Sequence, residues 1–84
     1  MKGNTDKGKL TTGVKRKVWN KAALLQGHPP DIWRRDMQGN VIHWQEYENK
    51  ESKYGWKIHN ANLQSNELTD IEYLHPVHID TPQP

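Results

Sequence analysis

The sequence predicts a small single α+β domain, with an N-terminal helix followed by a β-hairpin and a third strand. Three observations carry that expectation. Residues 13–25 place Val14, Val18, Ala22 and Leu25 at helical spacing, with Trp19 beside them. Two short apolar stretches, Ile32-Trp33 and Val41-Ile42 with Trp44 after it, flank Asp36-Met37-Gln38-Gly39-Asn40. Tyr54 to Asn60 then joins aromatic and β-branched residues after Gly55, a composition that suits a pleated strand.

The elements follow in chain order. Residues 1–12 are polar and aperiodic and bury too little apolar surface to offset their ordering entropy, so they are expected to form a disordered basic leader. Thr12 is placed to cap a helix over 13–25, and Gly27-His28-Pro29-Pro30 is placed to stop it. In the hairpin, Gly39 supplies the positive φ that such a turn requires. The polar stretch Gln45 to Ser52 reads as a turn or a short helix. A short helix is expected over Glu67–Leu74, closed by Pro76, because a proline disfavours helix at the residue before it. The folded body is thus drawn at 13–76, with 77–84 as a flexible tail.

Composition narrows the function. A chain of 84 residues holds one domain, and with 32% hydrophobic residues its core is thin. The four tryptophans are expected to organise that core rather than to stack on DNA, since each aromatic buries on the order of 150–250 Å². The absence of cysteine excludes disulfides and cysteine zinc sites. No apolar run approaches the roughly 20 residues of a membrane span, and no apolar segment marks a secretory leader. A cytoplasmic protein with no membrane partner is expected. Charge is uneven: residues 1–21 carry seven Lys/Arg against one acid, and the remainder five against nine. A basic arm on a mildly acidic body suits contact with nucleic acid, and a plain solvated leader would look the same.

Val18-Trp19-Asn20-Lys21, then Pro30-Asp31-Ile32-Trp33-Arg34-Arg35-Asp36 with Gly39 and Ile42, then Tyr47 and Ser52-Lys53-Tyr54-Gly55-Trp56-Lys57-Ile58 occur in this order. The set resembles one group of HNH (ββα-metal) endonucleases. The likeness is close over 18–58 and holds in outline to residue 76. It implies an incomplete HNH-like ββα unit at the end of the domain. In such enzymes a strand-end carboxylate or histidine holds a divalent metal, a neighbouring histidine activates water, and a following helix completes the metal site.

Carried over residue by residue, the resemblance implies a damaged catalytic motif. The family's Asp-His pair falls on His59-Asn60. His59 keeps the capacity to bind a metal through a neutral imidazole, but the amide of Asn60 does not take a proton from water. Shifting the alignment by one residue makes His59 the base and deletes the carboxylate ligand instead. The family's loop asparagine falls on Asp70, and its closing helix falls on the proline-interrupted segment 76–82. No catalytic residue and no cofactor are therefore expected, with His59, Asn60 and Asp70 as degenerate motif positions. The alternative is a divalent metal, zinc or magnesium, on His59, His75 and His78, where His75-x-x-His78 has ligand spacing if it forms a helical turn.

Lys15, Arg16, Lys17, Lys21, Arg34 and Arg35 are the expected nucleic-acid contacts. The competing reading is an ordinary solvated face, with Arg34 and Arg35 paired to Asp31 or Asp36 at little gain in stability. Three functions follow: a catalytically impaired HNH-like protein that binds nucleic acid, a protein-interaction module (an inhibitor or regulator, as of a mobile element) reusing the scaffold, and an active metal-dependent DNA endonuclease.

Overall fold

A computed structural model describes residues 11–61 and 71–82. Among these residues it has one α-helix and two antiparallel sheets, the α+β class expected. Helix α1 spans Thr12–Trp19. Its cap is Thr11, whose Oγ1 accepts the Val14 N–H at 3.1 Å, so residues 11 and 12 belong to the helix rather than to the leader.

The helix ends at Trp19, six residues before the expected end. Turn hydrogen bonds from Lys21 N–H to Val18 O and from Ala22 N–H to Trp19 O, each 3.0 Å, close it. Ala23–Leu24 then forms strand β1. The competing interaction is tertiary. The Arg34 guanidinium donates to the carbonyls of Asn20 and Ala22 at 3.2 and 3.0 Å, and strand pairing supplies further backbone partners. The apolar spacing of Ala22 and Leu25 does not outweigh both.

β2 (Trp33–Arg35) and β3 (Val41–His43) form the expected hairpin. With β1 they make a three-stranded sheet in the order β1-β2-β3. Arg34 lies opposite Leu24 and Ile42, and Trp33 opposite His43. Gly39 has φ +89°, as its place in the turn requires. Trp44, expected to extend the hairpin, instead opens a 3₁₀ turn, Trp44–Glu46.

The expected third strand exists as β4 (Trp56–Asn60) but joins a second sheet. Its partner is β5 (Leu74–His78). The register pairs Trp56 with His78, Ile58 with Pro76, and His59 with His75. The helix expected over Glu67–Leu74 lies outside the described residues up to 70; Ile71–Tyr73 is a 3₁₀ turn, and Leu74 begins β5. The domain edge drawn after Pro76 falls inside this strand. Val77 and Ile79 are buried, and the Ile79 N–H donates to Gly55 O at 2.9 Å. Pro76 is tolerated because a two-stranded ribbon has an open edge on each strand.

The core joins helix and sheets through tryptophan. Val18, Trp19, Ile42, Trp56 and Leu74 are fully buried. The Trp19 and Trp56 centroids lie 5.0 Å apart, Trp44 lies 5.6 and 5.8 Å from them, and Tyr47 lies 4.9 Å from Trp56. Each buried indole N–H has a partner: Trp19 donates to Pro30 O at 2.9 Å and Trp56 to Trp44 O at 3.2 Å. Arg16 stacks 3.7 Å above Trp44. Burial, and then the neighbouring Glu48 carboxylate, pushes the Tyr47 phenol up to about 12. Trp33 is the exception to the expectation for the four indoles, since it packs outside this cluster. Among the described residues no helix is long and apolar enough to cross a membrane.

Candidate functional site

Of the positions that the resemblance singles out, His59 and Asn60 on β4 and His75 and His78 on β5 sit on one two-stranded ribbon. His59 and His75 are register partners, so their side chains share one face. Asn60 follows on the other face, and Asp70 lies outside the described residues. His78 is paired with Trp56, three residues from His59 along β4, and therefore belongs to the opposite face. The ribbon separates the three histidines expected to share a metal.

Ring chemistry also separates them. His78 Nδ1 accepts the Asp80 N–H at 3.1 Å, which places the ring proton on Nε2, 2.7 Å from Lys53 O. Its one lone pair is therefore in use. His75 is held below the usual imidazole range by burial first, then by the Lys21 ammonium and His59. A fixed cation beside His75 also opposes a second one. His59 borders a groove of about 190 Å³ whose other walls include Met37, Val77 and Pro82. The carboxylate in that groove, Asp36, is saturated. Its Oδ1 accepts the Gln38 and Asn40 N–H groups, and its Oδ2 accepts Asn40 Nδ2 and the His78 N–H. Among the described residues no three His, Cys, Asp or Glu converge as a metal site. A zinc or magnesium ion shared by His59, His75 and His78 does not fit this arrangement. A helical turn at His75-x-x-His78, which that shared site needs, is replaced by strand β5.

The six expected nucleic-acid cations divide into two groups. Lys21 Nζ donates to the carbonyls of Leu74 and Ile71 at 2.6 and 2.7 Å, tying α1 to the start of β5. Arg34 holds Pro30 O through Nε at 3.0 Å in addition to the carbonyls at the end of α1. Arg16 donates to Asp31 O at 3.0 Å while stacked on Trp44. Lys15 lies 4.6 Å from the Tyr47 ring centroid. These four are structural. Lys17 and Arg35 face solvent. Pairing of Arg34 with Asp31 or Asp36, the competing expectation, gives way to bonding with backbone carbonyls.

One group was missed in the sequence. On β2, Arg34 points toward α1, so Trp33 and Arg35 point away, together with their register partners His43 and Val41. Tyr54 and His28 flank that face. The Trp33 centroid lies 4.5 Å from His43, 5.1 Å from Tyr54 and 6.0 Å from His28, all edge to face. The alternation Trp33-x-Arg35 and Val41-x-His43 was the available signal. Tyr54 and His28 join only through the tertiary fold.

Compared with models of protein families, with curated proteins and with solved structures, the chain gives no match.

Proposed function

We propose that this protein is a small HNH-like nucleic-acid-binding protein that does not cut its ligand. The observation that carries the proposal is His59-Asn60 on β4. An amide stands where the resemblance requires a general base, and the histidines that would replace the metal site lie on opposite faces of the ribbon. Binding is supported by the basic excess of residues 1–21 and by the solvent-facing Lys17 and Arg35.

The test uses the full chain. Plasmid DNA incubated with protein and magnesium, manganese, nickel or zinc is expected to stay unnicked. Two phosphate contacts give a salt slope of about −1.8, so affinity is expected to fall roughly twelvefold between 50 and 200 mM salt. Nicking abolished by His59→Ala would overturn the non-cutting half. Absence of binding at low salt would overturn the other.

The internal use of Lys15, Arg16, Lys21 and Arg34 favours a second reading, a protein-interaction module, because it removes most of the expected phosphate contacts. Leu24 and Met37, 61% and 71% exposed, are apolar side chains available to a protein partner. A protein partner recovered by pull-down, with no nucleic-acid binding, would select this reading.

A further inference from the structure

The outer face of the three-stranded sheet has no part in the HNH-like ribbon. It presents Trp33, Arg35, Val41 and His43, with Tyr54 and His28 at its margin. Its rings remain accessible although they touch one another: Trp33 and His43 are half-buried, His28 is exposed and Tyr54 is 37% exposed. The opposite face, with Ile42 and Arg34, packs toward α1 and the tryptophan core. Fold stability thus accounts for one face of this sheet and leaves the indole, imidazole and phenol rings of the other without a core to fill.

We propose that this face binds unpaired bases of single-stranded nucleic acid by stacking, with Arg35 taking a neighbouring phosphate. The inference rests on the nucleic-acid reading above and names its substrate class. Two properties select the occupant. Aromatic rings on an open sheet stack on bases whatever their sequence, because every base has a π-face. Arg35, exposed two residues from Trp33, supplies the positive charge beside the rings, and the chain's basic N-terminal third adds to the attraction of a polyanion. Duplex DNA keeps its bases stacked inward and offers this face only its backbone, so the rings give no advantage there.

The imidazoles are set up for such contact in different ways. His43 Nδ1 accepts the Gln45 N–H at 3.1 Å, leaving Nε2 as the N–H donor. His28 Nδ1 lies 3.2 Å from Gln26 O, to which it donates, leaving Nε2 as an acceptor. One donor and one acceptor thus flank Trp33, able to meet base edges of either polarity.

The experiment titrates the full chain with a fluorescently labelled oligothymidine and with a labelled duplex at fixed low salt, reading anisotropy and intrinsic tryptophan emission. Oligothymidine is expected to bind and to quench tryptophan. Tyr54→Ala is expected to weaken that binding about tenfold, as loss of one stacking ring does. Trp33→Leu is expected to do the same and to abolish the quenching, since the other three tryptophans lie in the core cluster. Circular dichroism confirms that each variant is folded, and Tyr54→Ala leaves the indole in place if Trp33→Leu does not fold. Unchanged oligothymidine affinity in folded Tyr54→Ala overturns the stacking face while the nucleic-acid reading stands. Binding of duplex alone does the same. Binding of neither overturns both.

Discussion

The carboxylate of Asp36 accepts the backbone N–H of His78 at 2.9 Å, across 42 positions of sequence. Asp36 belongs to the turn between β2 and β3, and His78 ends β5. This bond therefore links the two sheets. The same carboxylate holds its own turn through the Gln38 and Asn40 N–H groups at 3.0 and 2.9 Å. At 2% exposure it has little water to fall back on.

Asp36→Ala leaves those donors without their acceptor. We expect a loss of about 3 kcal/mol, the scale for unpairing buried groups from a charged partner. The midpoint of urea denaturation measures it. Asp36→Asn, which keeps one carbonyl acceptor, is expected to lose less.

Two glycines give opposite outcomes. A Cβ at Gly55 would run into the Asn49 carbonyl and lie 3.0 Å from Ile79. Gly55→Ala is therefore expected to cost about 3 kcal/mol through overpacking. Gly13 lies in α1, and its added Cβ would be 3.9 Å from Thr11 Oγ1, an ordinary contact. Gly13→Ala is expected to raise stability by about 0.5 kcal/mol. Thermal melts of the two variants check both signs.

Arg34 and Arg35 are neighbours with separate duties. Arg34→Ala removes the donors to three carbonyls and is expected to destabilise by about 2 kcal/mol. Arg35→Ala is expected to change stability by less than about 0.5 kcal/mol, as exposed substitutions do. Denaturation of both variants beside their oligothymidine affinities separates fold from binding. Equal stability losses would count against the assignment.

Acid is expected to weaken the fold through His75. Its folded-state affinity for a proton is lowered by burial, by Lys21 and by His59. The unfolded chain takes up that proton near pH 6.5 while the native chain resists it, so the unfolded state binds more protons in that window. Stability is accordingly lost as pH falls from about 6.5 through the lower native value. His75→Gln is expected to flatten this part of the stability–pH curve, read from denaturation midpoints at a series of pH values. An unchanged slope would rule out His75 as its source.

Local chemistry determined much of this protein. The hairpin across Asp36–Asn40, the positive φ of Gly39, the strand after Gly55 and an N-terminal amphipathic helix all follow from turn residues and apolar spacing within a few positions. The amide at Asn60, on which the proposed non-cutting reading rests, is likewise a matter of residue identity. The tertiary structure decided the rest, because its causes lie far apart in sequence. Arg34 reaches back to the carbonyls at the end of α1, so the helix stops at Trp19 although its apolar period continues. β4 finds its partner in β5, fourteen or more positions on, and that pairing turns an expected helix end and tail into a strand with Pro76 inside it. The same register puts His59 and His75 on one face and His78 on the other. It is also packing, through backbone carbonyls and tryptophan rings, that takes Lys15, Arg16, Lys21 and Arg34 for the fold and leaves Lys17 and Arg35 to solvent. Charge counted along a chain does not distinguish a lysine that caps a carbonyl from one that faces water, since that difference is set by which distant backbone groups need a donor.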